Sequence, residues 1–327
     1  MSNGLLTGVL FLVALVALPS SSNAVSSVNP FSGAKLFVDP DSSAAQQIRA
    51  WGKTKPAYVV LLRKIASGST ANWFGDWNVN LASDVNDRIV QIAKAHALPV
   101  FVIYNIPRRD CGGYSAGGAK SSTAYRKWID MFSSAVAKRK IALILEPDAL
   151  SGLDCLSSSE RATRLALIRY AVTRFTKYNR AATVYVDAGH SAWQPADEMA
   201  RRLMLAGIAN ARGFSLNVSN TQTSADSLNY GSMVSDLIGG KHFVVDTSRN
   251  GLGPLPESQW KKPEDAWCNS PGRALGARPT NNTGRPLADA FLWVKPPGDS
   301  DGSCNGGPPA GDWWLTYALG LARRAPW

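Results

Sequence analysis

The sequence predicts an α/β fold, a distorted barrel of about seven to eight parallel strands with its functional face at the C-terminal strand ends. Three observations carry that expectation. Short apolar runs alternate with amphipathic helical patterns along the whole chain, the mark of repeated parallel βαβ units. About eight such units occur without a dinucleotide-type glycine signature, which favours a closed or nearly closed barrel over the runner-up, a doubly wound open sheet. Finally, one apolar run after another ends in a carboxylate.

Taken in order, residues 4–18 are almost entirely apolar and lead through a serine-rich stretch to Ser22-Asn23-Ala24. Residues 1–24 are therefore expected to be a secretory signal peptide cleaved after Ala24. The competing reading, a membrane anchor, needs a longer span. Residues 25–33 read as a short lead-in. Strands are expected at 35–38, 57–62, 99–104, 141–145, 182–186, 213–218, 242–245 and 290–294, and helices at 83–97, 121–138, 159–178, 195–209 and 224–238. No linker or repeat divides residues 25–327, so one domain is expected, with no binding module. Residues 247–289 are long, rich in Gly, Pro and Asn, and poor in periodicity, a loop of the kind that carries function.

Cysteines 111, 155, 268 and 304 fit two disulfides in an oxidising compartment. Three pairings are possible, of which the sequential one closes the shortest loops. A zinc site is the competing reading, but no two cysteines are close in sequence and the three histidines are scattered, so no metal and no cofactor is expected. The net charge of +11 is spread in short pairs such as Arg108-Arg109 and Lys261-Lys262, not gathered in a phosphate-tracking stripe. No nucleic-acid partner is expected, no membrane partner after signal cleavage, and a monomer is the default.

The run Ile141-Ala-Leu-Ile-Leu145 ends in Glu146-Pro147-Asp148. Pro147 lacks an N–H and stops the strand, and an acid emerging from a buried strand has a raised pKa, suited to general acid work. Other runs lead to Asp110, Asp187, Asp246, and Asp299 with Asp301. Such acids converging on one rim would repel one another unless function required them. Trp73, Trp77, Trp193, Trp260 and Trp267 fall in loops or just past strands, and exposed indoles interleaved with acids and amides (Asn217, Asn220, Asn269) favour a carbohydrate groove. Two carboxyls on different strands can supply either spacing that glycosidic hydrolysis uses.

Two long stretches resemble the signatures of glycoside hydrolase family 6, the inverting cellulases: Val102 to Gly118 (VIYNIPRRDCGGYSAGG) and Leu143 to Ser151 (LILEPDALS). Tyr185 to Trp193, Asp246 to Gly251, Trp267 to Asn269 and Trp293 to Gly302 are similar too, so the resemblance runs from about Asn29 to the C-terminus. It implies a secreted inverting endo-β-1,4-glucanase acting on cellulose or a related β-1,4-glucan, with Asp148 as general acid. Asp110 would hold the pKa of Asp148 up and help order the water, Asp301 would match the disputed base, and Tyr104 would meet the distorted sugar. Trp73, Trp193 and Trp267 would be sugar platforms, Lys295 would hydrogen-bond hydroxyls, and Asp187, His190, Asn217 and Arg249 would line the cleft with Asp299. The pairs Cys111–Cys155 and Cys268–Cys304 would be the family disulfides.

Two positions depart from the family pattern. A water-contacting serine six residues beyond Asp110 is replaced by Ala116, with Ser115 expected to point elsewhere. Asp299 stands where glutamate is common. Short segments after Asp110 and Asp301 imply an open cleft and internal cleavage. The alternatives are a catalytically silent glucan-binding protein on the same scaffold and processive exo action. Of two glycosylation sequons, Asn217 is expected to be unmodified and Asn281 available.

Overall fold

The computed structural model describes Met1 and residues 28–327; the expected signal peptide lies outside the described residues. Seven parallel strands form one sheet in chain order: β1 Asn72–Phe74, β2 Val100–Ile103, β3 Ile141–Leu145, β4 Ala182–Asp187, β5 Gly213–Leu216, β6 His242–Asp246 and β7 Ala288–Leu292. The sheet curls until its ends meet, where Thr70 bridges Trp293. Around it run α1 Ser43–Trp51, α2 Pro56–Ala66, α3 Leu81–Lys94, α4 Ser122–Val136, α5 Ser158–Tyr178, α6 Ala196–Leu205, α7 Ser224–Leu237 and α8 Leu315–Arg324.

Strands β2, β3, β5 and β7 are buried on both faces along their whole length, which is why they read as unbroken apolar runs rather than alternating ones. Their side chains nevertheless divide with period two. Phe101, Ile103, Leu143 and Leu145 pack outward against Phe132, Ile129 and Phe175 of the helices. Val100, Val102, Tyr104, Ala142, Ile144 and Tyr185 fill the barrel interior with Phe31. A third cluster (Leu62, Ile65, Trp293, Leu321) joins α2 and α8 across the sheet closure.

Two expected strands are corrected. Residues 57–62 lie in α2, which starts with Pro56 in its first turn and buries Val59, Leu62 and Ile65 at three-residue spacing while Val60 faces solvent. A short apolar run does not distinguish a strand from a buried helix face. Residues 35–38 form no strand; only Leu36 pairs, in an isolated bridge to Leu98. The first strand is instead the three-residue β1, too short to leave a pattern. Helix starts follow their caps, as at α5, where Ser157 and Glu160 form a capping box.

Candidate active site

All seven strands point the same way, so their C-terminal ends deliver their loops to one face. There a cleft of about 1230 Å³ is lined by Asp110, Asp148, Asp299, Asp301, Tyr104, Lys295, His190, Trp73, Trp193 and Trp267. These residues come from β1, the loops after β2, β3 and β4, the β6–β7 connection and the segment after β7, so the fold gathers groups up to 228 positions apart in sequence, from Trp73 to Asp301.

Asp148 is half-buried on the loop after β3, and its amide donates to Asp187 Oδ1 at 2.9 Å. Burial pushes its carboxyl well above the usual range, the negative charges of Asp187, Asp110 and Asp301 add to the shift, and Arg249 opposes it. Asp187 is itself raised to about 6 by burial, less than it would be without N–H donors from Asp148 and Gly189 and the Ser215 hydroxyl.

Asp110 lines the same cleft. Its Oδ2 accepts from the Ser115 amide at 2.7 Å and the Ser115 hydroxyl at 3.0 Å, and Ser115 Oγ is also 3.0 Å from the Tyr104 hydroxyl. A carboxylate only accepts, so Ser115 gives its proton to Asp110 and takes one from Tyr104. The expectation that Ser115 points elsewhere is therefore corrected: it joins Tyr104 to Asp110. Burial, helped by the neighbouring acid groups of Asp148 and Asp110, raises the Tyr104 hydroxyl well above its usual value, so it stays protonated.

Asp301 is in a different field. Its Oδ2 accepts from Arg249 Nη1 at 2.7 Å and the Asn269 amide at 2.8 Å, while Lys295 Nζ lies 3.2 Å from Oδ1. Burial alone would raise its pKa, but Arg249 and Lys295 outweigh it and hold the carboxyl below its usual range. Lys295 pairs with Asp301 and donates to the Ser300 carbonyl, whereas Asp299 has no ion pair among the described residues and burial takes it to about 6.

The acids that end the strands thus divide in two. Glu146, Asp187 and Asp246 are buried and bind loop amides: Glu146 Oε2 takes those of Asn105 and Ile106 at 2.9 Å, and Asp246 takes those of Ser219, Ser248 and Lys295. The reading that the acids converge on the rim is corrected for these three. They sit at the last strand position or the next one, where the side chain is still buried. The cleft acids lie farther along.

Asp187, Asn217 and Arg249 lie behind the cleft lining. Asn217 donates to the Asp246 and Gln222 carbonyls and is fully buried, so its sequon is inaccessible in the folded chain. His190 lines the cleft 5.5 Å from the Trp193 ring, and burial lowers its pKa to about 4, so it is neutral.

Trp73 donates to the Val294 carbonyl and meets Tyr104 edge-on at 5.2 Å. Trp193 and Trp267 expose about two fifths of their surface. Trp77 and Trp260 also line the cleft. Cys111–Cys155 and Cys268–Cys304 are bonded and pin the loops that carry Asp110 and Trp267. Non-glycine residues with positive φ gather here, among them Arg108, Asp110, Cys111, Glu146, Asp148, Asn217, Ser219 and Asn269. Such backbone costs of order 1–3 kcal/mol per residue and persists where packing over-determines it. Among the described residues, no group of three or more His, Cys, Asp or Glu is arranged to hold a metal ion.

The model of the family described as glycosyl hydrolases family 6 matches residues 31–325. Endoglucanase A of Cellulomonas fimi is 44% identical over 91% of this chain and 62% of its own length. Endoglucanase A of Thermobispora bispora is 43% identical over 88% and 61%. The chain thus spans about three fifths of these two relatives. Among solved structures, the endoglucanase Cel6 from Mycobacterium tuberculosis, in complex with methyl-cellobiosyl-4-deoxy-4-thio-β-D-cellobioside, is 43% identical, with a TM-score of 0.85 over 90% of this chain and 99% of that one.

Proposed function

The chain belongs to glycosyl hydrolase family 6, and on that premise we propose that it is a secreted, inverting endo-β-1,4-glucanase in which Asp148 is the general acid. One observation carries this reading. Asp148 is held protonated by burial and three neighbouring carboxylates, while Asp301 in the same cleft is held ionised by Arg249 and Lys295. Two carboxyls driven apart in pKa are what acid-assisted glycoside cleavage needs.

In the proposed reaction Asp148 gives its proton to the departing glycosidic oxygen as the bond to the anomeric carbon breaks. Water attacks that carbon from the opposite face. The fixed charge of Asp301 opposes the positive charge developing on the sugar. Three donors on Asp301 make it a weak base, so the larger share of the water's proton is assigned to Asp110. Tyr104, held by Ser115, packs against the reacting ring, and Trp73, Trp193 and Trp267 carry the flanking sugars. Asp187, Asn217 and Arg249 position these groups from behind. The apolar N-terminal stretch and the two disulfides support export. The names of the endoglucanase relatives and the oligosaccharide-like ligand in the Mycobacterium tuberculosis structure support a β-1,4-glucan substrate and internal cleavage.

The test follows carboxymethylcellulose hydrolysis by viscosity, reducing-sugar release and proton NMR of the first anomer formed. Rapid viscosity loss and initial α-anomer are expected, both abolished in Asp148→Ala. Initial β-anomer would sink the mechanism, and slow viscosity loss relative to sugar release would sink internal cleavage.

A further inference from the structure

We propose that the pole of the barrel opposite the cleft docks a polyanionic polysaccharide, one that carries carboxylates on its sugar units, and so tethers the protein while the cleft stays free. The choice of polymer rests on the glucanase reading above. All seven strands send their C-terminal ends to the cleft, so the connections from helix to strand gather at the other pole. The five from α3–β2 to α7–β6 span 95–99, 137–140, 179–181, 206–212 and 238–241, and they contain no Asp or Glu. Cations scattered in sequence meet here. Lys94 and Lys177 stand in the last turns of α3 and α5, and Lys138, Lys140 and Arg180 lie just beyond α4 and α5. All five are exposed, and none has an ion-pair partner among the described residues. At this end Asp289 is buried and paired with Arg212 and His242, and Asp236 is exposed in the last turn of α7.

These cations sit on one fixed rim. Asn179 is buried, its amide donates to the Ser133 and Ala137 carbonyls at 2.8 and 2.5 Å, and its oxygen accepts from the Ser133 hydroxyl at 2.5 Å. That stitches the end of α4 to the end of α5, and the parallel register of Ile141 with Ala182 brings Lys140 and Arg180 to neighbouring strand starts. A cation in a helix's last turn answers the helix dipole, an effect that fades within that turn. It accounts for Lys94 and Lys177 but not for Lys138, Lys140 and Arg180, whose like charges a polyanion laid across them would neutralise. The helices end at this pole, so no amide nest faces a phosphate. Four of the five cations are lysines, point charges without the fork that grips phosphate. The exposed apolar side chain among them is the Tyr178 ring, with Lys177 5.4 Å from its centroid, whereas Met204, Leu205 and Leu237, which would suit a lipid layer, lie on α6 and α7. At the far pole Asp110, Asp299 and Asp301 line the cleft and repel the same polymer.

The test measures binding of polygalacturonate to the secreted protein by isothermal titration calorimetry at low salt. Binding is expected, and high salt should abolish it. The triple variant Lys138→Gln, Lys140→Gln, Arg180→Gln should bind about tenfold more weakly or worse. A second triple, Lys53→Gln, Lys120→Gln, Lys127→Gln, removes the same charge from exposed sites elsewhere and should stay within about twofold of wild type. Both should hydrolyse cellohexaose as wild type does, with or without saturating polygalacturonate. Absence of binding by wild type overturns the proposal, and equal weakening by the two triples reduces it to net charge and overturns it too. Double-stranded DNA or phosphatidylserine vesicles bound as tightly as polygalacturonate would overturn the choice of polymer. Inhibition of cellohexaose hydrolysis by polygalacturonate would put the polymer in the cleft and overturn the docking pole. Failure of the glucanase reading looks different: cellohexaose is then not hydrolysed at all, whether or not polygalacturonate binds.

Discussion

The Asp148 amide donates to Asp187 Oδ1 at 2.9 Å, so the group that fixes the backbone of the proposed acid also presses a negative charge on it. Asp187→Asn keeps an oxygen for the amide and removes the charge. The Asp148 carboxyl should then ionise more readily. The alkaline limb of the kcat/KM profile is expected to move to lower pH by about one unit, with thermal stability little changed. An unmoved limb would mean the Asp187 charge has no part in setting the Asp148 pKa.

Ser115→Ala should uncouple Tyr104 from Asp110 without emptying the cleft. Hydrogen bonds to charged groups are worth about 1.5–3 kcal/mol, so kcat should fall by roughly ten- to hundredfold with KM changed far less. Ser115→Thr, which restores the hydroxyl, should recover part of the loss. A uniform rise in KM with kcat intact would assign Ser115 to substrate binding instead.

Glu146 is buried, and burial raises its pKa to about 7 from an ordinary 4.5. Between those values the unfolded chain has released the proton that the folded chain keeps. The unfolded state binds fewer protons there, and stability falls as pH rises through that window, by ~3 kcal/mol on a shift of this size. Glu146→Gln removes the titration while its amide oxygen can keep both 2.9 Å bonds to Asn105 and Ile106. The decline in melting temperature from pH 4.5 to 7 should therefore be shallower in the variant, leaving the part due to the other acids that burial raises, Asp148, Asp187, Asp246 and Asp299. Parallel curves would refute this account of Glu146.

The Cys111–Cys155 bond spans 44 positions, a loop whose closure entropy is worth about 4 kcal/mol. Replacing both cysteines by serine should lower the melting temperature by several degrees. Because Asp110 adjoins Cys111 in strained backbone, kcat should drop as well. The equivalent change at Cys268 and Cys304 should weaken substrate binding through the neighbouring Trp267. Equal kinetic effects of the two removals would show that the bonds stabilise the fold without positioning either wall.

Much of this molecule was legible in its sequence. Apolar runs such as Ile141–Leu145 announced strands buried on both faces, and long helices such as Ser158–Tyr178 declared themselves by caps and period. The two signature stretches pointed to Asp110 and Asp148 of the cleft acids, because motif residues lie close together in the chain. Where periodicity was absent or ambiguous, sequence failed. Residues 57–62 became helix because burial at three-residue spacing and a run of consecutive apolar residues look alike over six positions. Asn72–Phe74 is a strand made by its neighbours.

What only the tertiary structure decided is which carboxylates line the cleft. Asp187, Asp246 and Glu146 follow apolar runs as Asp148 does, yet they bind amides in the interior, and Asp301 meets Arg249 from beyond β6 as well as Lys295 of its own segment. A pKa is set by charges and burial within a few ångströms, and those neighbours are chosen by barrel closure. The chain by itself determined the strand order and the inventory of acids and indoles; the closed sheet determined which of them keeps its proton.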